Sequence, residues 1–164
     1  MMKRVFSALV LTLSTAAAAQ AGMSVQLLSP WDGKKIPAGQ QCSVQGGKAA
    51  TPPMQVSGLP AGTSMVVAEF NDRSYQPLSR NGGHGVIGWP VKGSDAKLAP
   101  IPEGAAKGPG GAMVVKDTRG TLGSGKGYLP PCSGGRGNSY EAVIKAVGAD
   151  GKVLEKLRVK LGRY

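Results

Sequence analysis

Tyr140-Glu141-Ala142-Val143-Ile144-Lys145-Ala146-Val147, then Gly148-Ala149-Asp150-Gly151, then Lys152 through Leu161, is the stretch that decides the fold. In its first arm Tyr140, Ala142, Ile144 and Ala146 share one face, and Glu141, Val143, Lys145 and Val147 share the other. In its second arm Val153, Glu155, Leu157, Val159 and Leu161 alternate with Leu154, Lys156, Arg158 and Lys160. A strand sends successive side chains to opposite faces. Period 2 on both sides of an Asp-Gly turn therefore predicts an antiparallel hairpin. Leu154, Leu157 and Leu161 also stand at helical spacing, and a short helix is the competing reading of the second arm.

Working outward, the other apolar runs are short as well: 23–28, 54–56, 65–70, 86–91 and 112–115. Most are rich in β-branched residues and bounded by Gly, Pro, Asn or Asp, as strands are. Glycine (26) and proline (12) supply much of that punctuation. The fold class this predicts is all-β, an antiparallel two-sheet sandwich. Long connections at 71–83, 92–111 and 116–127 are expected to crowd one end of the sandwich and line a pocket, since loops of this length are commonly functional.

The first residues read as a leader. Met1-Met2-Lys3-Arg4 is basic, residues 5–13 are apolar, and Ala19-Gln20-Ala21 ends in a small-x-small cleavage pattern, the signature of a secretory signal peptide. The apolar run falls short of the roughly 20 residues a membrane-spanning helix needs. Cleavage after Ala21 would leave one domain at 22–164, exported to the periplasm or the medium, with no transmembrane segment. Without Lys3 and Arg4 the chain carries 18 basic and 9 acidic residues. Such a surface suits an acidic protein, an anionic lipid headgroup or a nucleic acid. Export, scattered basic residues and few aromatics argue against nucleic acid. Two cysteines in an oxidising compartment, Cys42 and Cys132, predict one disulfide. Closing a loop of that length contributes about 4 kcal/mol in the chain-entropy account; two separate thiols are the alternative.

A second stretch points to binding. In Gly127-Tyr128-Leu129-Pro130-Pro131-Cys132-Ser133-Gly134-Gly135-Arg136-Gly137-Asn138-Ser139-Tyr140 a Pro-Pro-Cys turn leads into a glycine-rich loop. Bare backbone N–H groups in such a loop form a concavity that suits an anion, and Arg136 adds a fixed charge. No reaction is expected. The chain has no Gly-x-Ser-x-Gly elbow, and its sole histidine has no obvious acid–base partner. Gly123-Ser124-Gly125-Lys126-Gly127 resembles a phosphate loop but lacks the GxxxxGK[ST] spacing. One histidine and two cysteines also make a structural zinc site unexpected, and no cofactor or metal is expected.

The ordered motifs resemble one known family. Ser29-Pro30, Ile36-Pro37, Cys42 and Pro52-Pro53-Met54 through Gly58-Leu59-Pro60-Ala61-Gly62-Thr63 are similar to the first third of phosphatidylethanolamine-binding proteins (PEBPs), in their bacterial Raf-kinase-inhibitor-like branch. His84-Gly85-Val86-Ile87-Gly88-Trp89-Pro90-Val91 resembles the family's histidine strand, and Ile101-Pro102-Glu103-Gly104 its Leu-Pro-Glu-Gly. Gly127 through Cys132 and Tyr140 resemble its Gly-Tyr-x-Gly-Pro-Cys and His-Arg-Tyr segment. The resemblance implies a two-sheet antiparallel sandwich with a small anion pocket at one end, in a family where some members inhibit kinases or proteases through surface contacts. It places His84, Asp72, Tyr128, Pro131, Asn138 and Tyr140 at a ligand, to which the glycine-rich loop adds Arg136. The sequence also departs from the family pattern. Asn71-Asp72-Arg73 stands where an Asp-Pro-Asp motif is usual, Asn138 replaces a loop histidine, Gly85 replaces a tryptophan, and the usual C-terminal helical region is missing.

Two functions from different classes follow. The first is an exported protein binding a small anionic or phosphate-bearing ligand. There His84 and Tyr140 would supply hydrogen bonds, Asp72 would orient His84 or meet an ammonium, and Arg136 would make up for the charge that Asn138 lacks. The second is a protein-interaction or inhibitor module acting on an acidic envelope partner, its pocket vestigial. A lipid-surface binder is a third. His84 could also be a surface residue, Asp72 a turn aspartate bonding its own backbone, and Tyr140 plain core.

Overall fold

Eight strands make up two antiparallel sheets in a computed structural model that describes residues 22–164. The leader read at 1–21 lies outside the described residues. The strands are β1 (Ser24–Leu27), β2 (Met54–Ser57), β3 (Thr63–Asp72), β4 (Val86–Pro90), β5 (Asp95–Leu98), β6 (Met113–Lys116), β7 (Ser139–Gly148) and β8 (Val153–Arg163). The small sheet has the order β1-β2-β5 and the large one β6-β4-β3-β7-β8. Single 3-10 turns interrupt the connections, and no helix among the described residues is long and apolar enough to cross a membrane.

The hairpin at 140–161 forms as read. β7 alternates buried and half-buried residues along its whole length, with Tyr140, Ala142, Ile144 and Ala146 inward. On β8 the inward residues are Glu155, Leu157, Val159 and Leu161, so the strand reading prevails over the helical one. Glu155 is tolerated there because its Oε1 accepts the Met23 N–H at 2.9 Å. β3 lies between β4 and β7 and carries Val66, Ala68 and Phe70 to the same inner face, opposite Met54, Val56 and Leu98 of the small sheet.

One strand was not foreseen. β5 sits inside the connection read as irregular at 92–111, and it pairs with β2 from Met54↔Leu98 to Ser57↔Asp95. Its sequence, Asp-Ala-Lys-Leu, buries Leu98 alone, because an edge strand over a small sheet needs few apolar anchors. The connections at 71–83 and 116–127 do converge at one end of the sandwich, whereas β5 draws the third into the small sheet.

Candidate functional site

The cavity at that end is built by one close approach. Gly85 opens β4 with φ +111°, and a side chain there would strike the Gly127 carbonyl at 2.6 Å. Glycine thus lets the histidine segment lie directly on the Pro-Pro-Cys arm. The two are stitched together: the Leu129 N–H donates to the His84 carbonyl at 2.8 Å, and His84 Nδ1 stands 2.8 Å from the Leu129 carbonyl. A disulfide joins Cys42 to Cys132, with Cα atoms 5.3 Å apart, and the Cys42 N–H donates to the Pro131 carbonyl. The arm is therefore fixed on both sides.

Behind the cavity the loop at 77–84 is held by single polar side chains. Buried Asn71 accepts the N–H groups of Gly82 and Gly83 through Oδ1, at 3.0 and 3.3 Å. Arg119 donates to the carbonyls of Pro77, Arg80 and Asn81. Thr118 donates to the Gly83 carbonyl, and Asp117 accepts the Gly127 N–H.

The cavity that results measures about 410 Å³. His84, Asp72, Tyr140, Asn138 and Arg136 all line it, so five of the residues the sequence singled out come together. His84 is 3% exposed, and its Nε2 has no hydrogen-bond partner among the described residues. A carbonyl can only accept, so Nδ1 carries the proton toward Leu129 in the neutral ring, and Nε2 then presents a lone pair. Burial pushes the imidazole below its ordinary value, with the Leu129 carbonyl and the Asp72 carboxylate opposing that. The ring stacks edge-on against Tyr140 at 5.4 Å. Burial drives the Tyr140 phenol up to about 12. It keeps its proton at neutral pH, and its oxygen accepts the Cys132 N–H at 3.2 Å.

Asp72 does not orient His84 by a hydrogen bond. Its Oδ1 accepts the Ser74 N–H at 2.9 Å, a turn bond, and its Oδ2 accepts Asn138 Nδ2 at 2.6 Å. Asp72 makes the turn bond and also lines the cavity, and Asn138 spends a donor on Asp72 that an anion would otherwise use. Arg136 is exposed at the mouth and enters none of the ion pairs among the described residues.

Two expected residues are not at the cavity. Tyr128 is 1% exposed and packs edge-on against Phe70 at 4.8 Å, in the core behind the arm. Pro131 is buried and turns its carbonyl to Cys42. In this arm Leu129, Cys132 and Ser133 line the cavity, and Tyr128, Pro130 and Pro131 do not. Sequence reading missed Arg119, Tyr75 and Leu122. Tyr75 (53% exposed) and Leu122 (46%) form an apolar rim. They lie in irregular loops without periodicity, so no pattern marked them. Among the described residues no group of three or more His, Cys, Asp and Glu side chains assembles as a metal site would require.

Comparison with known proteins supplies the fold class. No family profile and no curated protein matches the chain. The chain is similar to the crystal structure of a protein described as a PEBP homolog from Chlamydia trachomatis, with a TM-score of 0.57 and 21% identity. The match covers 87% of this chain and 97% of that one. This is an all-β, PEBP-like sandwich, and at that identity the likeness establishes the fold.

Proposed function

We propose that this protein is exported, in the periplasm or medium, and binds a small anionic or phosphate-bearing ligand in the His84 cavity without turning it over. The observation that carries the reading is the unpartnered Nε2 of buried His84, in a cavity with the Tyr140 hydroxyl and an unpaired Arg136 at its mouth. Each of the three has its own part in holding the anion. Tyr140 O–H donates, Arg136 supplies long-range attraction, and His84 Nε2 either accepts a proton carried by the ligand or takes one up as the anion arrives. Asp72 keeps a negative charge nearby, so a singly charged or protonated anion suits the cavity better than a bare dianion. The disulfide supports an oxidising compartment. Binding without turnover is the reading because His84 Nδ1 is committed to Leu129 and Cys132 to its bridge.

Titration with inorganic phosphate or phosphoethanolamine, followed by amide NMR, tests it. Shifts are expected at 83–85 and 131–140 and should vanish in His84→Gln. Shifts scattered over the basic surface, or none, overturn it. An interaction module with a vestigial cavity is the second reading, favoured by the excess of basic residues; it predicts partner retention that survives loss of His84.

A further inference from the structure

The seam where the edges of the two sheets meet holds another concave feature. β1 is one edge of the small sheet and β8 is one edge of the large sheet, and the two run side by side. Between them lies a groove of about 620 Å³. Its two ends are closed. At one end the Met23 N–H reaches Glu155, and at the other the Arg163 N–H donates to the Lys34 carbonyl while Ile36 returns the bond to Arg163. Between those closures, no backbone group of 24–27 or 157–159 bonds to anything beyond its own sheet, among the described residues, whereas Gly33 packs on the Lys160 carbonyl. Unpaired N–H and C=O groups of this kind are a template for another strand.

The groove floor gives an independent sign. Val25, Leu27, Leu157 and Val159 are half-buried there, beside Trp31. Trp31 is 3% exposed, and its indole N–H has no acceptor among the described residues. The other tryptophan is satisfied: Trp89 Nε1 donates to the Ala99 carbonyl at 2.9 Å. A buried donor left unmade costs free energy that an incoming carbonyl would recover.

The rim says what kind of chain fits. Arg158 and Lys160 line the groove, with Lys156 next on the same strand. Lys156 and Lys160 enter no ion pair among the described residues, and Arg158 reaches Glu141 from an exposed position. The groove's acid, Asp32, already accepts the Lys34 and Lys35 N–H groups. A second copy of β8 is disfavoured, because edge-to-edge pairing would set like charges against one another.

We propose that the groove between β1 and β8 docks an extended, acidic polypeptide segment, which lies along the free strand edges, offers a carbonyl to Trp31 and sets its carboxylates against Arg158 and Lys160. At about 3.3 Å per residue, the stretch from Leu157 to Val159 accommodates a core of roughly three residues.

The test uses 15N-labelled protein and the peptide acetyl-Glu-Val-Glu-Val-Glu-Val-amide, with acetyl-Lys-Val-Lys-Val-Lys-Val-amide as its charge-reversed counterpart. The acidic peptide should shift the Trp31 indole N–H and the amides of 24–27 and 157–160, leave the Trp89 indole in place, and act equally on His84→Gln. The double variant Arg158→Glu, Lys160→Glu should weaken it about tenfold. Should that variant fold poorly, the two peptides on the unaltered protein decide the matter. An equal response to both peptides, no response, or shifts confined to the His84 cavity overturns the proposal.

Discussion

The β7–β8 hairpin and the cavity end of the sandwich are held together in different ways, and the difference explains what each can do. Along β7 every second residue is buried, β8 sets half-buried residues beside it, the ladder runs from Ser139↔Arg163 to Val147↔Val153, and stability is spread over many similar contacts. At the cavity end the backbone is irregular, and single groups carry the order: Asn71 for Gly82 and Gly83, Arg119 for three carbonyls, Leu129 for His84, and the disulfide for the arm. Repetitive packing yields a rigid frame. Individual polar ties leave polar atoms such as His84 Nε2 unspent, facing a cavity.

Breaking the frame should have the largest effect. Ile144 is fully buried at the middle of β7. Ile144→Ala should lower the unfolding free energy by about 2–5 kcal/mol in denaturant titration. It should leave phosphate affinity nearly unchanged in the molecules that remain folded. Loss of binding before loss of structure would mean that frame and cavity are not separable.

Breaking a single tie should cost less stability and more binding. Asn71→Ala strands the N–H groups of Gly82 and Gly83 and should cost about 1–3 kcal/mol. Because it frees the segment that leads into His84, phosphate affinity should fall in parallel. A variant as stable as the parent, or one that binds unchanged, would show that the loop keeps its shape without Asn71.

The same contrast sets what could be read in the sequence. The hairpin was legible because alternation is a property of neighbours along the chain, and Tyr140, Ala142, Ile144 and Ala146 declare it unaided. β5 was not, because Asp95 and Lys97 face solvent and its pairing with β2 is visible only in three dimensions. His84, Asp72, Asn138 and Tyr140 were found through their likeness to a motif set and Arg136 through the glycine-rich loop that carries it, and all five line one cavity. Tyr128 and Pro131 belong to the same motif yet point elsewhere, since a motif fixes the path of the chain and not the facing of each side chain. Arg119 gave no signal, because its role is to donate to carbonyls 38 to 42 positions away.

The most direct measurement of the central claim is phosphate affinity at about pH 6 and about pH 8, in the parent and in His84→Gln. Burial holds the His84 imidazole below its ordinary 6.5, which favours the neutral ring when no anion is bound. A bound anion raises it, binding takes up a proton, and affinity climbs as pH falls. The phosphate's own ionisation contributes equally to both proteins. If the anion raises the ring by about one unit, the parent's preference for the lower pH should exceed the variant's by roughly threefold to fivefold, since the full tenfold appears only below both the free and the bound pKa. Identical pH profiles in the two proteins would contradict the account.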